Sequence, residues 1–375
     1  MKINRIFKIQ LAAALLLATI NSQLFTARAL GGPTPATTTQ TDPRTPISSA
    51  PFTISVSGSY YLTKNLTLTS SSSIPRNGIT IAANNVTLDL NGFTISSTTA
   101  ASTTVGGIML NSGVHNITIM NGFIQGGAWI NNSGGYSGNG FGYGIYYSGN
   151  PPANVVVSKV SVANVLDDGI NLFTLPTMSI HLTGSLVEAC TVTTAGGYGI
   201  CANTIKDSVA NDCGNIAIVG IQAVDCIGIS VDSGIVTGCA QNCFGMTSST
   251  STTTFGISAD LAQNCFGIST NSGGLSASTA QNCFGKGYNG TGLQASYAQN
   301  CNGSSDSDTG LSATIAQNCY GISDSGTGLD ASFMANSCLG SSSSGTGLSA
   351  FYGNFCFGSS SSGTPVDVIT KYNMP

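Results

Sequence analysis

Two adjacent aspartates, Asp167 and Asp168 in the string NVLDDGINLF, form the densest carboxylate pair in the chain. Glu188, Asp207 and Asp225 follow Asp168 at successive steps of 20, 19 and 18 along the sequence. If one structural unit repeats at that interval, these four carboxylates stack. Stacked carboxylates bind Ca²⁺ or displace one another's pKa into an acid/base pair. His181, in SIHLTG, lies within one such unit of Asp168 and supplies a base at neutral pH. Asp167, Asp168, Glu188 and His181 are therefore the candidate catalytic residues. Strand geometry sets a condition on the first two: neighbours on a strand face opposite sides, so they act together only on a turn. Asp212 and Asp225, in NDC and VDC, occupy the place that Asn holds in QNC, which points to turn roles.

A second constellation is aromatic. The stretch AWINNSGGYSGNGFGYGIYYSGNPP carries Trp129, Tyr136, Phe141, Tyr143, Tyr146 and Tyr147 among glycines. Neutral sugars are held by stacking on aromatic faces with few charges, so Trp129, Tyr136, Tyr143 and Tyr147 are the candidate carbohydrate-binding residues. The competing reading is that these rings pack inside the fold or cover its flank.

The elements that position these groups are announced by a repeat. Cys265, Cys283, Cys301 and Cys319 recur at a constant step of 18, and Cys338 and Cys356 continue the series at 19 and 18. The string AQNC recurs at 240–243, 262–265, 280–283, 298–301 and 316–319, with parallel columns of Leu (275, 293, 311, 329, 348) and Ala (277, 295, 313, 331, 350). Identical residues at identical phases mean that one unit stacks on copies of itself. A unit this short has no room for a helix, a strand and two turns, so the expectation is an all-β solenoid with coils of about 18–22 residues. Leu311 and Ala313 share the core side of a strand, with Ser312 and Thr314 outward; Ala316 breaks that parity, so a bend lies between them. The Asn column reads as a corner ladder of stacked amides in left-handed backbone. The cysteine column admits three readings: stacked thiols as small core groups, disulfides between coils, or metal binding, which needs ligands converging on a point rather than a line.

Composition narrows the partners. Only 7% of residues are charged, while 41% are hydrophobic and 48 are Gly. Beyond Arg76 there is no arginine, and 15 acidic residues outweigh the basic ones. Nucleic-acid binding, which needs clustered Lys and Arg, is excluded on that ground. The start of the chain, with Lys2, Arg5 and Lys8, an apolar run from Ile9 to Ile20 and Ala27-Arg28-Ala29, reads as a secretory signal cleaved after Ala29. That predicts a secreted or cell-surface protein with no transmembrane span. Residues 30–51 read as a Pro/Thr linker, 52–364 as the solenoid (uneven coils to about 240, regular ones from 241), and 365–375 as a tail.

Taken together, the opening GSYYLTKNLTLTS…NGITIAANNVTLDLNGFTI, the Asn ladder and the stacked columns resemble the right-handed parallel β-helix of the pectate-lyase-like superfamily, over residues 52 to about 364. The resemblance implies a single-stranded right-handed β-helix and a polysaccharide or cell-surface glycan as partner. Lyases of that superfamily hold calcium with clustered acids and use Arg or Lys as base; this chain lacks the arginine in every coil after Arg76. The expectation is therefore no cofactor, with Ca²⁺ only for a lyase. The first functional expectation is a non-catalytic extracellular scaffold or adhesin with glycan binding; the alternative is a polysaccharide lyase or glycoside hydrolase.

Overall fold

The computed structural model describes residues 42–69, 76–97, 102–131, 134–173, 183–251 and 253–374. The signal segment at 1–29, most of the expected linker, and His181 lie outside them. From Pro43 onward the chain forms one unit. Among the described residues every regular element is a strand; nearly all join one parallel sheet that winds as a solenoid. Strands lie at Thr45–Ile47, paired with Gly58–Leu62, and at Val366–Tyr372, paired with Leu348–Asn354. Winding thus starts before Phe52 and runs past Thr364.

Each coil contributes to three sheet faces, and each face has one inward row that can be followed down the axis. On the first face the row reads Leu88, Ile119, Val157, Val187 and Ile205, then Ala223, Ala240 and Ala262. Ala continues through Ala335 before Gly353. On the second face Ile95, Ile124, Val162 and Val192 give way to Ala210, then to Gly228, Gly245, Gly267 and Gly285. The third face keeps its bulk: Ile79, Ile108, Ile145, Ile170, Ile200, Ile218, Ile235 and Ile257, then Leu275, Leu293 and Leu311. Three bulky rows enclose a wide core. As two rows shrink, the walls close on the Leu row and on a buried row of Cys, keeping the packing dense. A Cβ at Gly303 would fall inside the contact radius of the Gly310 carbonyl, so glycine is required by this approach.

Coil length follows core width. In register, Tyr61 pairs with Asp89, Asp89 with Met120, Met120 with Ser158, and Ser158 with Glu188, so the residue number advances by 28, 31, 38 and then 30. The short coil expected from the repeat therefore fails in the first half. It holds from Glu188 onward, where the advances to Lys206 and Val224 are both 18. The physical reason is the connection between the third and first faces. Early coils use separate strands joined by loops, as in Phe141–Tyr147 followed by Ala153–Val165. Late coils fuse the two faces into one strand such as Leu311–Gln317, where the ladder skips Thr314. That skip is the bend implied by the parity of Ala313 and Ala316.

The corner after the first face is left-handed in coil after coil: Asp207, Asp225, Asn242, Asn264, Asn282, Asn300 and Asn318 all have φ near +50°. Asn tolerates this region better than other side chains. The amides then bond along the axis, Asn264 Nδ2 donating to Asn242 Oδ1 at 3.1 Å, Asn282 to Asn264 at 3.2 Å and Asn300 to Asn282 at 3.2 Å.

Candidate functional site

Asp167 and Asp168 lie on the bend between the strands Ala153–Val165 and Ile170–Asn171, so the turn condition for joint action is met. Asp168 is only 6% exposed. Its carboxylate accepts a hydrogen bond from Asn171 Nδ2 at 2.6 Å and another from the Tyr198 backbone N–H at 2.8 Å. Burial pushes its pKa up to about 6, the hydrogen bonds from Asn171 and Tyr198 pull it down, and the adjacent Asp167 raises it again. Asp167 also meets the hydroxyl of Tyr143, whose pKa is raised by burial first and then by the Asp167 charge. Tyr143 stacks on Tyr146 with ring centroids 4.4 Å apart, and the Tyr146 hydroxyl donates to Asn77 Oδ1 at 3.0 Å.

The other carboxylates are elsewhere. Glu188 ends a first-face strand, in register with Ser158 and Lys206. Asp207 and Asp225 sit on the left-handed corner, where Asp225 Oδ1 accepts from Asn242 Nδ2 at 2.9 Å. The register of Ile170 with Ile200 places Tyr198, not Glu188, one coil beyond Asp168. The stacked series Asp168, Glu188, Asp207 and Asp225 does not form. One full coil there runs from Ser158 to Glu188, longer than the interval from Asp168 to Glu188. Among the described residues no three His, Cys, Asp or Glu side chains converge as a metal site requires, so no acidic cluster for Ca²⁺ is assembled there. His115 opens a first-face strand beside Ala153.

Glycosidases hold their two carboxyl groups about 5–5.5 Å apart (retaining) or about 6.5–9.5 Å apart (inverting), leaving room for the sugar or a water. Asp167 and Asp168 are instead adjacent on one bend, and each carboxylate oxygen of Asp168 already accepts a hydrogen bond, Oδ2 from Asn171 and Oδ1 from the Tyr198 N–H. Asp168 is the buried member and ties its own coil to the next through the Tyr198 N–H, while Asp167 is half-buried beside it.

The aromatic stretch divides into a hairpin and a coil. Gly127–Ile130 and Tyr136–Asn139 pair antiparallel, with Trp129 opposite Ser137, as an excursion from the solenoid. Tyr136 lies against Gly214 and donates its hydroxyl to the Asp212 carbonyl at 2.7 Å, which pins the hairpin to a later coil. Tyr143 is held by Tyr146 and Asp167, and Tyr147 packs against the core. Of the four candidate sugar platforms, Trp129 presents the most open ring, at 56% exposure.

A concave surface appears in the regular coils. The bend at Thr314 and its equivalents folds the fused third-and-first-face strands inward, leaving an axial trough of about 370 Å³. Ala277, Ala295 and Ala313 form its floor, and Ser276, Ser278, Gln294, Ser296, Ser312, Thr314 and Ser332 its walls. Among the described residues no charged side chain lines it. Ser312 and Thr314 are legible as outward from alternation, but the concavity is a three-dimensional consequence of the bend. Serine columns alone do not signal it.

Comparison with protein-family models, curated proteins and solved structures finds no match to this chain. Among the described residues no helix is long and apolar enough to cross a membrane.

Proposed function

We propose that the protein is an exported, non-catalytic β-helical scaffold of the pectate-lyase-like kind that binds a neutral glycan along its regular coils. The observation that carries this reading is the uncharged trough aligned with the solenoid axis. Its hydroxyl and amide groups recur at the coil spacing of about 4.8 Å. That spacing is close to the length of one pyranose unit in an extended β-linked chain, so each sugar meets an equivalent set of donors and acceptors. Side-chain hydroxyls and the Gln294 amide match sugar hydroxyls as both donors and acceptors. An anionic glycan is disfavoured, because the trough supplies no cation. Trp129, on its hairpin, adds one open ring of the kind that stacks on a sugar face. The non-catalytic part of the reading is supported by Asp168, whose two carboxylate oxygens are already engaged by Asn171 and the Tyr198 N–H.

The test is a panel of neutral and acidic polysaccharides incubated with the purified protein, scoring retention and product release together. Retention of a neutral polymer without shortened products supports the proposal. Release of unsaturated or newly reducing ends overturns the non-catalytic reading, and retention of acidic polymers alone overturns the trough.

A further inference from the structure

Twelve cysteines are present and every one is a free thiol; eight of them form an unbroken row. Each residue after the left-handed corner points into the core: Cys226, Cys243, Cys265, Cys283, Cys301, Cys319, Cys338 and Cys356, all at most 3% exposed. The register is fixed by the backbone, with Phe284 N–H bonded to the Cys265 carbonyl at 2.8 Å and Asn302 N–H to that of Cys283 at 2.9 Å. Each thiol of the row lies against the carbonyl two residues before it, Cys265 Sγ donating to the Gln263 carbonyl at 3.2 Å, Cys283 to that of Gln281 at 3.2 Å and Cys301 to that of Gln299 at 3.1 Å, so the sulfurs repeat at equivalent positions from coil to coil. A tetrahedral site for zinc needs four ligands around a point, which a straight row does not give.

A straight row of sulfurs suits a different chemistry. A soft d¹⁰ cation that prefers two collinear thiolates needs its sulfurs separated by two metal–sulfur bonds. With bonds of about 2.3 Å that separation is about 4.6 Å, against a coil spacing of about 4.7 to 4.9 Å. Charge selects among such cations. Two thiolates with a divalent ion make a neutral unit, whereas a monovalent ion leaves a net negative charge in an apolar core with no basic partner, at large cost. We propose that the cysteine row is a binding site for a divalent, linear, thiophilic cation of the mercuric type, taken up by neighbouring pairs of thiols. In each step two S–H bonds are lost, two metal–sulfur bonds form, both protons pass to solvent, and no oxidation state changes. A sulfur that bridges two ions cannot be linear, so each thiol serves one ion and eight thiols hold four.

This pairing imposes a parity rule, which the experiment reads. The reduced full-length protein is titrated with mercuric chloride, then dialysed against an excess of a monothiol to strip ions held by single sulfurs, such as at half-exposed Cys239. Retained mercury is counted by native mass spectrometry, and the sulfur coordination number is read by X-ray absorption. The wild type should retain four ions, each with two sulfurs. Cys265→Ala with Cys283→Ala removes one whole pair and should retain three. Cys243→Ala with Cys265→Ala strands Cys226 and leaves five thiols in a run, so it should retain two. The matching Ser pairs, closer in volume to Cys, repeat the count should an Ala pair fail to fold, with far-UV circular dichroism as the check. Equal losses from both double variants, coordination by three or four sulfurs, or complete stripping by the monothiol would each overturn the proposal.

Discussion

Asn300 carries two separable contributions to the corner, and two substitutions pull them apart. Its backbone sits at φ +53°, and its side chain both donates to Asn282 Oδ1 at 3.2 Å and accepts from Asn318 Nδ2 at 3.3 Å. Replacement by Ala loses both amide bonds, each worth about 0.5 kcal/mol at an exposed site. It also places a Cβ without a compensating amide in left-handed backbone, at about 1 to 2 kcal/mol. Asn300→Ala should therefore destabilise the protein by about 2 to 3 kcal/mol. Asn300→Gly loses the same amide bonds but not the backbone compatibility, and adds about 0.5 kcal/mol or slightly more of unfolded-state entropy, for about 1.5 kcal/mol. Urea unfolding followed by circular dichroism reads the order as wild type above Gly above Ala. A Gly variant as weak as the Ala variant would refute the assignment of strain to the corner. Two variants indistinguishable from wild type would refute the ladder as a stabilising element.

The same corner predicts a gain of stability elsewhere: Phe355 is left-handed at φ +51° and 64% exposed, so Phe355→Asn should stabilise by about 1 kcal/mol in the same urea assay. Gly303→Ala forces a Cβ onto the backbone carbonyl of Gly310, which has no flexible end to yield, and should cost about 3 kcal/mol, whereas Ser304→Ala should stay within about 0.5 kcal/mol. Asp168 gives a pH signature. Its folded pKa, about 6, lies above the ordinary carboxyl value, so the folded state binds more protons between about pH 4 and 6 and stability falls as pH rises through that window. At roughly 1.4 kcal/mol per pH unit the loss is about 2 to 3 kcal/mol, and Asp168→Asn should flatten the slope in urea titrations at pH 4 to 8. A wild-type profile that rises over this range would contradict the burial of Asp168 as the cause of its raised pKa.

The regular coils are legible because their sequence is nearly one-dimensional. Leu, Ala, Asn and Cys recur at fixed phases, and each phase maps to one wall of the solenoid, down to the parity break between Ala313 and Ala316. The early coils hide their length because loops of unequal size separate the faces. No column at constant spacing marks the register there: Ile79, Ile108, Ile145 and Ile170 stack directly, but at advances of 29, 37 and 25 residues. Glu188 groups with Asp168 on spacing alone for this reason: the long coil that ends at Glu188 leaves no trace in local sequence. Tyr198, whose backbone N–H bonds Asp168, is likewise brought in by register, whereas Asn171 is a near neighbour three residues along the same coil. The narrowing of the core is visible in retrospect as Ile to Ala to Gly down two rows. Only the structure shows that the bend at Thr314 and its equivalents turns the outer surface into a trough.

The central claim, a neutral chain lying along the trough without being cut, is tested most directly by calorimetry with neutral β-linked oligosaccharides of increasing length. The trough spans five coils from Ala259 to Ser332, four spacings or about 19 Å. Affinity should rise with each added sugar up to about that length and then level off. It should be the same at low and high salt, since no charge is involved. Gln294→Leu with Ser312→Leu should abolish it while leaving the folded solenoid intact. Affinity that ignores chain length, weakens with salt, survives this double substitution, or is accompanied by shortened products would contradict the account.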